Sequence, residues 1–297
     1  MSRAVSPSSN KPYGVARVVA LWTLPRSSFY AARHRERQPE VAQKRGPKVH
    51  SDADLIAAIR QLLEQAVFTG EGYRKIWARL RHKGIRTSKD RVLRLLRENQ
   101  LLSPTRQPQA LPSHPHEGTI VAEAPDQMWG TDATATVTAA EGTVTVFAAI
   151  DHYTAECVGI HVVKKANRFE ALEPVRQGVR EHFGLFSGGS AAGLRLRHDH
   201  GSVYMSDDFQ NEIRFLGIEA SPAFVRQPEG NGCIERFFRT LKEQLLWIRH
   251  FRDLEELRAA LIEFRERYNH QWILGRLGYR TPTQARRDFT VELTAAA

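Results

Sequence analysis

Three carboxylates occupy places where acidic side chains do chemistry. Asp132 follows Trp129-Gly130-Thr131, where a strand should run. Asp199 sits at the end of the short strand expected over 194–198 and precedes His200-Gly201-Ser202. Glu235 falls in the first turns of an apolar-faced helix, after Glu229-Gly230-Asn231-Gly232, with 35 residues between it and Asp199. Carboxylate oxygens suit hard divalent ions such as Mg²⁺. Two such ions about 3.5–4 Å apart stabilise both the attacking and the leaving oxygen of a phosphoryl transfer. A single Asp or Glu is most often a surface charge; three of them at the ends of rigid elements weaken that reading.

Basic and imidazole groups accompany the carboxylates. Arg239 and Lys242 follow Glu235 by four and seven residues, so all three share one helix face. Ile234, Phe238, Leu241 and Leu245 form the apolar stripe beside it. His198 and His200 flank Asp199; packing or DNA contact suits them better than ligation. His114 and His116 lie in a Pro-rich stretch and read as solvated. Cys157 and Cys233 make no framework or ligand spacing, which fits small packing residues in a reducing compartment.

The elements that must hold these residues read as a mixed α/β core. Strands are expected over 143–150 and 156–163, with the Asp151-His152-Tyr153-Thr154 turn between them and Gly159 inside the second. A helix follows over 168–183, then a Gly188-Gly189 break, a strand at 194–198, a helix at 208–216 and a strand at 218–224. Helices at 232–247 and 253–268 close the core, the last with Asp253 and Glu256 spaced as a capping box. Hairpin strands followed by alternating strands and helices argue for one sheet with helices packed on it.

Charge divides the chain. Residues 1–120 carry 22 Lys and Arg against 9 Asp and Glu, whereas 121–297 carry 21 against 24. A basic segment joined to a near-neutral one points to a nucleic-acid grip attached to something else. After a leader at 1–12, residues 13–34 read as a small helical unit with Val15, Val18, Val19 and Trp22 on one face. It breaks at Leu24-Pro25 and restarts with a Ser cap. Residues 51–102 hold three helices, the third capped by Ser88 and exposing Lys89, Arg91, Arg94 and Arg97. That is the outline of a helix-turn-helix DNA reader; an ordinary three-helix bundle with a solvated basic face shares the pattern. The expected divisions are a basic N-terminal helical region and linker (1–50), the helix-turn-helix module (51–102), a Pro-rich linker (103–125), the core with its C-terminal helix (126–287) and a tail (288–297). No apolar run is long enough to cross a membrane, and the N-terminus lacks a signal-peptide core.

Taken together, the motifs resemble those of the OrfB-type transposases of the IS-three family of bacterial insertion sequences. Trp129-Gly130-Thr131-Asp132 is similar to that family's first catalytic stretch, Ile150-Asp151-His152-Tyr153 to its second strand and turn, and Arg197-His198-Asp199-His200-Gly201-Ser202 with Tyr204-Met205-Ser206 to its second catalytic stretch. The segment from Asn231-Gly232-Cys233-Ile234-Glu235 to Leu241-Lys242 is similar to its glutamate helix. Tyr268-Asn269 with Leu277-Gly278-Tyr279-Arg280-Thr281-Pro282 resembles the C-terminal signature, and Gly72-Tyr73-Arg74-Lys75-Ile76-Trp77 the second helix-turn-helix. The resemblance spans roughly residues 13–287. It implies a retroviral-integrase-like core of RNase H-like fold, with Asp132, Asp199 and Glu235 as catalytic and metal-binding triad for two Mg²⁺ (or Mn²⁺). Lys242 would bind the transposon end. Double-stranded DNA, both transposon ends and target, would be the substrate. A homo-multimer on DNA and an upstream helix-turn-helix partner or frameshift fusion are further implications, as is work at the nucleoid in a bacterial cytoplasm. Departures stand at Val203, where many relatives have Gln, and at Trp272 and Leu274, where many have Arg and His. Two other functions share parts of the pattern: a non-catalytic DNA-binding protein of transposase descent, and an RNase H-type or Holliday-junction nuclease.

Overall fold

The computed structural model describes residues 4–37, 50–104, 122–222 and 231–296. Most of the expected linker 103–125, with His114 and His116, lies outside the described residues, as do 223–224 at the end of the expected 218–224 strand and Glu229-Gly230. The chain divides into two compact units, Met1–Asp54 and Leu55–Ala297. The first contains α1 (Val15–Leu21) and α2 (Arg26–Arg37). Val19 is buried, while Trp22 is 57% exposed. The second helix starts directly after Pro25, so Ser27 and Ser28 lie in its first turn and do not cap it. Proline at the entry supplies the fixed φ and missing N–H that a helix start tolerates.

Three helices, α3 (Asp52–Glu64), α4 (Tyr73–His82) and α5 (Lys89–Glu98), follow the expected periodicity. Leu55, Ile59, Leu62, Ile76, Leu80, Val92, Leu95 and Leu96 close a core between them. Ser88 caps α5 by accepting from the Arg91 N–H at 3.2 Å.

The core is one five-stranded sheet in the order β3-β2-β1-β4-β5. Its strands are β1 (Met128–Thr138), β2 (Gly142–Asp151), β3 (Cys157–Val163), β4 (Arg195–His198) and β5 (Glu219–Pro222). The first three pair antiparallel, and β4 and β5 add in parallel. The helices are α6 (Arg168–His182), α7 (Asp207–Phe215), α8 (Gly232–Leu241), α9 (Leu254–Gln271) and α10 (Pro282–Ala296). Alternate residues of β2 explain how helices cover both faces. Val144, Val146, Ala148 and Ile150 meet α8 and α9; Phe147 and Ala149 meet α6 and α7. A strand buried on both sides reads as a continuous apolar run, as this one does. Gly159 on β3 is needed for close approach: a Cβ there would lie 2.0 Å from the Pro174 carbonyl oxygen of α6.

Three details differ from expectation. The 232–247 helix is not uniform, because α8 passes into a π-turn at Lys242–Leu246. The capping residue Asp253 accepts from Glu256 N–H at 2.8 Å, but Glu256 returns to the Arg252 N–H, one residue outside the box. The final helix runs past 287 to Ala296, through residues expected as a tail. Both cysteines are free thiols. Burial pushes the Cys157 thiol up to about 12, so it stays protonated and unreactive. Among the described residues no helix is long and apolar enough to cross a membrane.

Candidate active site

Strand pairing sets the first two carboxylates side by side. In the parallel pair β1–β4, Gly130 faces Arg197. Two residues further along each chain stand Asp132 and Asp199. The latter sits just past the end of β4, where its backbone is free to turn. Asp199 Oδ1 accepts the Gly201 N–H at 2.8 Å, which fixes that turn. A Cβ at position 201 would come 2.8 Å from the same oxygen, so a larger residue there would make the Asp199 carboxylate shift. Asp132 Oδ1 accepts the Ala133 N–H at 2.8 Å.

The third carboxylate comes down from α8. Ile234, Phe237, Phe238 and Leu241 bury one side of this helix in the core and leave Glu235 on the other. Its N-terminus is pinned to β1: the buried Asn231 donates to the Thr131 carbonyl at 3.3 Å, one residue from Asp132. The resemblance to the glutamate-helix stretch begins at Asn231, but its contact with Thr131, a hundred residues away, leaves no local mark in the sequence.

Electrostatics ties these groups together. Burial raises the Asp132 carboxyl to about 6; the charges of Asp199 and Glu235 add to the rise, while the Ala133 N–H and the Lys242 ammonium oppose it. Burial also raises Glu235. Three carboxylates and one lysine therefore share a field. Among the described residues no three His, Cys, Asp or Glu side chains close into a single ligand cluster. All three side chains are carboxylates, the chemistry Mg²⁺ and Mn²⁺ select, and a cation among them would offset the burial and like charge that lift Asp132.

The accompanying residues separate. His198 is fully buried, bonds through Nδ1 to the Asp199 carbonyl at 2.7 Å and stacks on Tyr204, so it packs the opposite face of the sheet. His200 is exposed. Lys242 is half-buried at the end of α8, whereas Arg239 is exposed and pairs with Glu243 at 3.0 Å. On α5, Lys89 lies 4.5 Å over the Trp77 ring, Arg91 is half-buried, Arg94 pairs with Glu98 at 2.8 Å and Arg97 is exposed. The four are thus not one uniform open face.

Comparison with known proteins agrees with this architecture. Residues 50–109 match the HTH-like domain family and residues 216–282 the Integrase core domain family. The chain is therefore a helix-turn-helix-like domain joined to an integrase-type core of mixed sheet and flanking helices, as an RNase H-like fold requires. In sequence it is similar to insertion-element transposases. Transposase InsD for insertion element IS2A/D/F/H/I/K of Escherichia coli is 28% identical over 240 residues, 78% of each chain. Transposase InsD for insertion element IS2-9 of Escherichia coli K12 is also 28% identical, over 78% of this chain and 76% of its own length. Among solved structures, the catalytic core of BIV integrase aligns with a TM-score of 0.43 at 19% identity, covering 58% of this chain and 99% of that one. A simian T-cell lymphotropic virus intasome aligns at 0.46 and 20% identity, covering 77% and 74%.

Proposed function

We propose that this chain is a transposase that cleaves DNA at the ends of an insertion sequence and joins those ends to target DNA. The observation that supports this most is the site of Asp132, half-buried on β1 with Asp199 just past the end of the neighbouring parallel strand and Glu235 on α8, and within the field of Lys242. Asp132, Asp199 and Glu235 would hold two Mg²⁺ or Mn²⁺. When bound, such ions supply positive charge at the attacking and leaving oxygens and lower the pKa of a water.

Asp132 and Asp199 would present their oxygens from adjacent strands, and Glu235 from the helix above. Lys242 would pair with a phosphate of the end. Water attacks a phosphorus while its bond to the 3′ oxygen breaks, leaving a 3′ hydroxyl and a 5′ phosphate. The hydroxyl then attacks a phosphorus of the target strand and displaces a second 3′ oxygen; in each attack the nucleophile gives up a proton and the departing 3′ oxygen takes one up, so joining is proton-neutral. Lys89, Arg91, Arg94, Arg97 and Arg239 would hold the phosphate backbone. The protein would act at the bacterial nucleoid as a homo-multimer on double-stranded DNA, by itself or with an upstream helix-turn-helix protein or as its frameshift fusion.

The test is cleavage and joining of a duplex carrying the terminal inverted repeat that brackets the gene, in Mg²⁺ or Mn²⁺. The expected result is a nick at the 3′ end and a joined product, both lost in EDTA and in Asp132→Asn. Tight end binding with no cleavage would favour a non-catalytic DNA-binding protein. Cutting of RNA–DNA hybrids without end preference would favour a nuclease.

A further inference from the structure

The loop between α3 and α4 enters the catalytic core. Phe68 is 3% exposed and belongs to the apolar cluster under α8 and α9. Its ring stands edge-on to Trp272 at 4.8 Å and to Phe264 at 6.4 Å. The next residue, Thr69, is held by one side chain at both of its backbone polar groups. Gln244 Oε1 accepts from the Thr69 N–H at 2.9 Å and from its hydroxyl at 3.3 Å. Gln244 Nε2 donates to the Thr69 carbonyl at 2.9 Å. Two residues on, buried Glu71 takes both arms of Arg79 at 2.5 and 2.7 Å, and Arg79 donates again to the Gln271 carbonyl at 3.2 Å. Lys75 lies over the Trp272 ring, and Trp77 meets Tyr279 edge-on at 5.6 Å. Trp272, a departure from many relatives, thus has a structural use here.

Gln244 sits in the π-turn, two residues after Lys242 on the segment that continues the Glu235 helix. We propose that Gln244 is a positioning residue that latches the helix-turn-helix-like domain to the catalytic helix in one register, so that the domain's grip on the DNA end sets which phosphodiester meets the carboxylates. The inference rests on the reading of the chain as an end-cleaving transposase. Magnitudes favour a latch over a tether. Successive phosphates on one strand advance only about 3.4 Å along the duplex, so freedom of even a few ångströms between the domain and the catalytic helix would blur the cut. A two-point amide clamp beside a buried aromatic anchor removes that freedom, and misplacement by about 1 Å can cost on the order of a hundredfold in rate.

The test uses the full chain and a duplex carrying the terminal inverted repeat. Gln244→Ala should bind the end within about twofold of the unmodified protein. Cleavage at the native bond should fall about tenfold or more, with cuts spreading to neighbouring phosphodiesters. A short Gly-Ser insertion after residue 110 should leave the cut position of the unmodified protein in place, because the latch and not the linker defines it. A Gln244→Ala protein that cuts one bond at the normal rate, or an insertion that moves the cut, overturns the proposal. Should the unmodified chain cut no DNA, the transposase reading fails, and amide hydrogen exchange judges the latch separately. In Gln244→Ala, exchange should accelerate together at Thr69 and across 242–248; unchanged exchange there refutes it.

Discussion

Asp132 and Asp199 stand on one line of the sheet, two residues beyond the Gly130–Arg197 pairing of β1 and β4. The first acid lies within β1 and the second just past the end of β4, and Asn231 draws the Glu235 helix toward them through Thr131. From this arrangement follow four expectations.

Asp132→Asn, Asp199→Asn and Glu235→Gln each preserve size and remove a charge. Each should lower cleavage and joining by more than about 10²-fold, the scale of losing one main electrostatic group. Folding and end binding should be retained. Strand-transfer assays beside gel-shift titrations check this, and near-normal rates in any one variant would remove that residue from the triad.

Asp132→Asn should also stabilise the protein in EDTA. The folded carboxyl is raised to about 6 from 3.8, so the folded state binds more protons than the unfolded one between those values. Its stability contribution is intact below about pH 4 and is lost as pH rises through 6. Above pH 6 the asparagine escapes that penalty. The gain should be about 1 kcal/mol, discounted from the full shift because the side chain is partly exposed. Thermal melts from pH 4 to 8 should show the two proteins diverging as pH rises; parallel curves would contradict the burial of this charge.

Lys242 lies two helical turns from Glu235, about 10.5 Å along the axis, and its charge reaches Asp132. Lys242→Ala should weaken the DNA complex and reduce joining more than it reduces Mg²⁺ binding. Lys242→Arg should keep much of the activity, since either cation pairs with phosphate. Normal joining by Lys242→Ala would make it a solvent lysine.

End binding by the full chain should fall steeply with salt. Each phosphate neutralised contributes about 0.9 to the log–log slope. Arg97 is exposed on α5, so Arg97→Ala should flatten the slope by about 0.9. Arg94 must first leave Glu98, so its replacement should change the slope less. Asp132→Asn serves as the control with an unchanged slope. An Arg97→Ala slope equal to that of the unmodified protein would take this helix off the DNA.

By itself, the sequence determined the element types, because burial imposes periodicity: the 3.6 repeat over 55–63, the double-faced apolar run of β2, the caps at Ser88 and Asp253. It also singled out Asp132, Asp199 and Glu235, since acids placed between apolar stretches and glycines stand out in a one-dimensional pattern. Tertiary structure decided what no local signal carries. The order β3-β2-β1-β4-β5, which puts two of those acids on neighbouring strands, arises from long-range hydrogen bonds. Asn231 on Thr131 and Gln244 on Thr69 are polar contacts between residues far apart in the chain, and an amide in a turn or on a helix surface looks the same with or without such a partner. The basic residues of α5 illustrate the reverse limit: their spacing suggested one face, but Trp77 and Glu98 engage Lys89 and Arg94, because a cation's surroundings depend on which rings and acids the fold brings beside it.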